Sequence, residues 1–199
     1  MSLRVTGGRF AGRRLRAPRG GLRPTADRVR ESLFARLGDL EGAAVLDLFA
    51  GTGALGIEAL SRGAASLVSV ERARGAVAVL RANVAALRLN SSTRVMVEDV
   101  VHAVRRLGRA GMRFDLVLAD PPYASREAQR ALEALVEAEV LAAGAVVVLE
   151  RGKSHPSPYV AGLALLDERR YGDTVVTRFV AAVPENEGSG TKAGGSRST

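Results

Sequence analysis

The chain contains no cysteine and only two histidines and two lysines in 199 residues. Without cysteine there is no disulfide framework, no thiol nucleophile and no thiolate metal site. His102 and His155 are too few to favour a histidine-built metal centre or catalytic triad. The opening Met1-Ser2-Leu3-Arg4-Val5 lacks the apolar core of a secretory signal. No apolar run approaches the roughly 20 residues of a membrane span. The expectation is a cytoplasmic protein with no membrane partner. At 47% hydrophobic the chain can bury a full core, and its length suits one domain with appendages. Internal repeats are absent.

Lysine is scarce because arginine takes its place, and the arginines are unevenly spread. Residues 1–30 hold nine arginines and a single acid, Asp27, so this segment by itself carries the whole chain's formal charge of +8. A genome rich in arginine and alanine codons explains the choice of arginine over lysine. It does not explain why the excess gathers at one end. A basic segment joined to a neutral body suggests a polyanionic partner.

Along that segment Leu3, Val5 and Phe10 alternate in part with arginines around Gly7-Gly8, which reads as a small basic β-hairpin. A loop through Pro18, Gly20 and Gly21 follows. A helix then opens with Thr25 as N-cap and Asp27 in its first turn, where the helix dipole favours an acid. Val29, Leu33 and Leu37 form its buried stripe; Arg28 and Arg30 fall off the stripe and are expected to face solvent or a ligand. From Ala43 strands and helices alternate. Strands are expected at Ala43–Phe49, Ser66–Glu71, Arg94–Val97, Phe114–Ala119 and Ala145–Glu150, with helices between them. They are short apolar runs, as in a parallel sheet covered on both faces. Repeated β-α units predict a doubly wound α/β sheet. Leu163–Leu166 and Thr174–Val183, split by Tyr171-Gly172-Asp173, read as a closing antiparallel hairpin. From Glu185 the composition is that of a disordered tail. The division expected is a basic extension over 1–23, a catalytic domain over 24–184 and a tail over 185–199.

In such a sheet ligands bind beyond the carboxyl ends of the strands. The stretch Val45–Gly56 places Gly51, Gly53 and Gly56 in G-x-G-x-x-G spacing after a strand, a turn that lets backbone lie against a flat ligand and lets helix pack on strand. Acids close four strands: Asp47, Glu71, Asp99 and Asp120. Any one of them could be a helix cap. Glu71 lies 20 residues past Gly51, the offset of a carboxylate that accepts from ribose hydroxyls. Asp47 beside the turn would repel a dinucleotide's pyrophosphate but would favour a cofactor carrying a sulfonium and an ammonium. Asp99 suits the amine of an adenine, or equally a cap on the helix from Val100. The run Asp120-Pro121-Pro122-Tyr123 is the most specific feature. Its prolines hold the backbone rigid without an N–H to donate, leaving the Pro121 carbonyl and the Asp120 carboxylate to grip an exocyclic NH₂ while Tyr123 offers a stacking face. A Pro-Pro helix stop with Asp120 as a turn acid accounts poorly for the whole tetrapeptide at this place in such a fold.

These motifs resemble class I S-adenosylmethionine-dependent methyltransferases that act on amino nitrogens. Arg4-Val5-Thr6-Gly7-Gly8-Arg9-Phe10-Ala11-Gly12-Arg13-Arg14-Leu15 and Leu22-Arg23-Pro24-Thr25-Ala26-Asp27-Arg28-Val29-Arg30-Glu31 resemble, more narrowly, the bacterial 16S rRNA guanine-N2 methyltransferase family, over roughly Arg4 to Val183. The resemblance implies a Rossmann-like, seven-stranded, mostly parallel sheet with an antiparallel C-terminal hairpin. It implies S-adenosylmethionine as cofactor, held by Asp47, Phe49, Gly51, Gly53, Gly56, Glu71, Asp99 and Thr25, and catalysis at Asp120, Pro121, Pro122 and Tyr123. It implies 16S rRNA, in small subunits or their assembly intermediates, as partner of a monomer, gripped by Arg4, Arg9, Arg13, Arg14, Arg23, Arg28 and Arg30. A DNA adenine-N6 or protein-glutamine methyltransferase is the runner-up, though these more often carry Asn at the position of Asp120. A non-catalytic RNA-binding assembly factor is the alternative outside enzymes.

Overall fold

The computed structural model describes residues 3–17, 26–122 and 126–182. The proposed tail, the N-cap Thr25, and Arg23 and Tyr123 lie outside the described residues. The parallel strands β1 (Ala44–Leu48), β2 (Ser66–Val70), β3 (Thr93–Met96), β4 (Phe114–Ala119) and β5 (Leu141–Gly152) are followed by β6 (Leu163–Tyr171) and β7 (Thr174–Ala181). They form one seven-stranded sheet in the order β3-β2-β1-β4-β5-β7-β6. β7 pairs antiparallel with both β5 and β6. The strand order reverses between β1 and β4, so the crevice for a ligand opens beyond their carboxyl ends.

Alternation along each central strand builds two cores. Leu46, Leu48, Val117 and Ala119 face α4 (Val100–Arg109) and α5 (Glu127–Glu137). Val45, Leu116 and Leu118 face α1 (Ala26–Leu37), α2 (Ala54–Ser61) and α3 (Arg74–Ala86). The second core also takes in Leu3, Val5 and Leu15. The basic N-terminal segment is therefore packed into the body, with apolar side chains inward and Arg4, Arg13, Arg14 and Arg16 outward. No helix among the described residues is long and apolar enough to cross a membrane.

Three local expectations need correction. The Gly7-Gly8 pair does not make a two-residue hairpin turn. Gly8–Phe10 winds into a short 3-10 turn, and the segment closes through a single antiparallel bridge, Arg4 to Arg14. The reason is tertiary: Phe10 N–H donates to Ser61 Oγ, which donates to the Gly7 carbonyl. Strand β5 starts at Leu141 rather than Ala145, with a register shift against β4 that admits the extra residues. Strand β6 runs on through the charged Asp167–Arg170 because its outward face is in water, where an edge strand tolerates charge. There Arg36 and Arg178 both pair with Asp167, which holds its carboxyl down at about 2.

Candidate active site

The glycine turn joins β1 to α2. At Gly53, φ is +79°, and a Cβ there would lie 2.1 Å from Leu80 Cδ1. Gly56 lets α2 lie down on the sheet: a Cβ there would meet the Leu67 methyls at 2.7 Å and Asp47 Oδ2 at 2.9 Å. Both requirements are steric, and no other residue meets them without moving a core leucine. Just ahead of the turn Phe49 sits at φ 57°. For a bulky non-glycine residue this is a strained conformation, of a kind that clusters at binding sites.

Two carboxylates hold the turn from behind. Asp47 is buried, and its Oδ2 accepts the Gly56 N–H at 3.1 Å. Its Oδ1 is buried with no hydrogen-bond partner among the described residues. Burial raises the Asp47 carboxyl from 3.8 to about 7, opposed by the Gly56 bond and reinforced by the nearby negative charge of Glu71. Glu71 accepts from Gly51 N–H at 2.9 Å and from Ala73 N–H at 2.7 Å, one bond to each oxygen. The 20-residue offset read from the sequence is thus a direct contact. Asp99 caps α4, taking the Val101 and His102 N–H groups on Oδ1.

The raised carboxyl of Asp47 fixes a sign. An acid that holds its proton more tightly when folded contributes stability that is complete below pH about 4 and lost as pH rises through about 7. Thermal melts of the ligand-free protein from pH 5 to 8 are expected to contain this loss, and Asp47→Asn to remove it. A variant whose melting temperature falls as steeply as that of the wild type would refute the assignment.

Cavities flank Phe49. One, of about 210 Å³, lies under α1 and is lined by Asp47, Phe49, Gly51 and Asp120, with Leu3, Val29 and Leu33 as roof. The other, about 370 Å³, is lined by Phe49, Gly51, Glu71, Asp99 and Asp120 through Pro122. Arg72 and Glu127 pair at 3.0 Å, linking the residue after Glu71, on that cavity's wall, to α5. A third, of about 340 Å³, lies beyond Pro121 and Pro122 and is bordered by Arg126, Gln129, Arg151 and His155. Asp120 is exposed at the tip of β4 and belongs to the first two.

The structure thus gathers Asp47, Phe49, Gly51, Glu71, Asp99, Asp120, Pro121 and Pro122 at one sheet edge. It does not leave Arg30 at the surface. Arg30 is 5% exposed, donating to the Arg4 carbonyl and to Asp27, with Glu58 3.4 Å away. It roofs the first cavity instead of presenting a solvent-facing charge. Arg28, two residues earlier, is exposed. Glu150, two residues before the end of β5, borders the first and third cavities and is not among the residues the sequence pointed to. The same rule that drew attention to four other strand-end acids would have found it. Thr174, another lining residue, carried no local signal. Among the described residues no cluster of three His, Asp or Glu side chains could hold a metal ion.

This strand order, with a glycine turn after β1, an acid after β2 that holds the turn and an Asp-Pro-Pro run after β4, defines a class I methyltransferase. The chain belongs to the family described as Conserved hypothetical protein 95, which it matches over residues 3–180. It is 34% identical to ribosomal RNA small subunit methyltransferase D of Escherichia coli (strain K12), over 93% of this chain and 92% of that one. It is also 34% identical to YlbH of Bacillus subtilis (strain 168), provisionally named an rRNA methyltransferase, over 89% of this chain and 98% of that one. Among solved structures, yhhF of Escherichia coli, provisionally titled a methyltransferase, superposes with a TM-score of 0.81 at 33% identity, covering 92% of this chain and 99% of that one.

Proposed function

We propose that the chain transfers a methyl group from S-adenosylmethionine to the exocyclic N2 amine of a guanine in 16S rRNA, acting as a cytoplasmic monomer on the small subunit or an assembly intermediate. The observation that carries this reading is the position of Asp120: it lines both cavities that meet at Phe49, while Pro121 and Pro122 back onto the third. The named small-subunit rRNA methyltransferase among its relatives supports the choice of substrate.

The residues present fit the cofactor. The unpartnered, buried Oδ1 of Asp47 awaits a cationic or hydrogen-bonding group, directly or through water. Glu71 is locked by its two backbone bonds, and its remaining lone pairs suit two ribose hydroxyls. Both cap bonds of Asp99 fall on Oδ1, so capping and acceptance of an adenine amine at Oδ2 are compatible. S-adenosylmethionine supplies an electrophilic methyl group on a sulfonium.

The amine of guanine is a poor nucleophile because its lone pair delocalises into the ring. The base must leave its stack to reach Asp120 where the cavities meet. Asp120 and the Pro121 carbonyl hold the NH₂ hydrogens and turn its lone pair toward the methyl carbon; Tyr123 supplies the stacking face. S-adenosylmethionine held by Asp47, Glu71 and Asp99 would supply its methyl group to that lone pair. The amine proton then passes to Asp120. Orientation supplies much of the rate.

Incubating the protein and labelled S-adenosylmethionine with separate pools of free rRNA, small subunits, DNA and protein tests this directly. Label confined to small-subunit rRNA as N2-methylguanine is expected. Label in DNA or protein, or none anywhere, would overturn it. Glu71→Ala removes both the ribose acceptor and the Gly51 anchor. Charge-assisted bonds of this kind are each worth about 1.5–3 kcal/mol, so calorimetry should find cofactor binding weakened by about 100-fold. A change below about threefold would place the ribose elsewhere.

A further inference from the structure

We infer that α3 and the edge strand β3 carry a second RNA-binding surface, a row of phosphate contacts formed by Arg81, Arg88 and Arg94 that continues the basic N-terminal segment. This rests on the rRNA reading above. Between residues 72 and 97 the sequence holds five arginines and no acid. The formal neutrality of the chain beyond residue 30 conceals this tract, because acids elsewhere offset it.

On the opposite helical face Arg105 pairs with Glu137, Arg106 with Glu98 and Arg113 with Glu139. Arg109 and Arg130 on that face are also exposed without an ion-pair partner among the described residues, so the difference is one of degree. Arg74, Arg81, Arg88 and Arg94 are exposed, and among the described residues none has an ion-pair partner. Arg74 and Arg81 lie seven residues apart in α3, which puts them on one helix face about 10 Å apart, and Arg88 follows just past the end of that helix. The row starts beside Glu71, at the catalytic rim, and runs toward the amino end of the sheet, where Arg94 stands on its outermost strand.

Arg88 offers an independent sign. It sits at φ 57° just past the end of α3, its N–H donating to the Ala85 carbonyl while Leu89 N–H donates to Val84. That is the helix-terminating motif whose left-handed position glycine normally fills. An arginine there is conformationally costly and is not explained by the fold.

The row is also continuous with the N-terminal arginines. Asn83, buried within α3, accepts from Arg16 N–H at 2.7 Å and donates to the Arg16 carbonyl at 3.1 Å. Its amide also donates to the Thr52 carbonyl in the glycine turn. One side chain therefore fixes the N-terminal segment against α3 and ties both to the cofactor turn. A polyanionic strand that follows Arg13, Arg14 and Arg16 is thereby brought to α3, which carries Arg81.

The test compares the full-length protein with the triple variant Arg81→Gln, Arg88→Gly, Arg94→Gln, using unmethylated small subunits and deproteinised 16S rRNA. Three lost phosphate contacts should flatten the log–log salt dependence of binding by about 2 to 3. KM for subunits is expected to rise about tenfold or more, with kcat and cofactor affinity unchanged. Because Arg88→Gly relieves the left-handed strain, the melting temperature should hold or rise, separating lost binding from lost folding. Arg105→Gln, Arg106→Gln, Arg113→Gln on the other face serves as a charge-matched control and should leave the slope unaltered. A triple variant with wild-type slope and KM, or a control that loses as much, overturns the inference while leaving the methyltransferase reading intact. A wild type that neither binds nor methylates subunits or 16S rRNA overturns both.

Discussion

Replacing Asp120 by alanine is expected to lower single-turnover methyl transfer by about 1,000-fold or more while cofactor affinity changes less than about threefold. Positioned acid–base groups contribute about 10²- to 10⁴-fold, and here the same carboxylate also orients the amine. The asymmetry between rate and affinity follows from placement. The turn and the proposed ribose site are built by Asp47, Glu71 and the glycines. Asp120 stands instead at the tip of β4, where the cavities meet. Asp120→Asn separates its two roles. The amide keeps one acceptor for the NH₂ but is a far weaker proton acceptor, so the residual rate should lie between those of wild type and Ala. Rapid-quench kinetics alongside calorimetry would decide. Loss of cofactor binding in parallel with activity would show that Asp120 belongs to the cofactor site instead.

Glu58→Ala should destabilise the fold by about 3–5 kcal/mol, the usual penalty for breaking a buried ion pair from one side. For a protein of this size that lowers the melting temperature by about 10 °C. Glu58 is fully buried at the inner face of α2. Its Oε1 accepts from Thr6 Oγ1 at 2.7 Å and Arg62 Nε at 2.9 Å, and its Oε2 from Thr6 N–H at 2.8 Å. Arg30 Nε approaches Oε2 to 3.4 Å without hydrogen-bond geometry, contributing charge more than a directed bond. Removing the carboxylate leaves the buried Arg30 with only Asp27 as a charge partner. It also frees Thr6, and with it the segment whose arginines are proposed to meet RNA. Glu58→Gln, which preserves shape and some bonds, should fall less far. A melting temperature within 2 °C of wild type in Glu58→Ala would mean that apolar packing of Leu3, Val5 and Leu15 alone secures the segment.

Much of the site was legible because it is local in sequence. A strand feeding a glycine turn, an acid 20 residues on and a proline-rigid run after β4 each announce their own backbone geometry, and the parallel sheet aligns all of their ends on one edge. Glu150 was legible by the same rule and was passed over. The N-terminal segment was legible in charge but not in form. Its alternation gave the inward Leu3 and Val5, whereas its 3-10 turn depends on Ser61, more than 50 residues away.

The sequence by itself determined the α/β alternation, the C-terminal hairpin and which residues meet at the carboxyl edge of the sheet, since each follows from short-range periodicity and steric demands of glycine and proline. The tertiary structure decided which charges are available. Arg28 and Arg30 look alike on the helix, yet only Arg30 meets the acid of α2 and the Arg4 carbonyl. Arg81 and Arg106 look alike on theirs, yet only Arg106 finds a carboxylate. Pairing depends on partners brought from distant segments, and a charge left unpaired at the surface becomes visible only when those segments are in place.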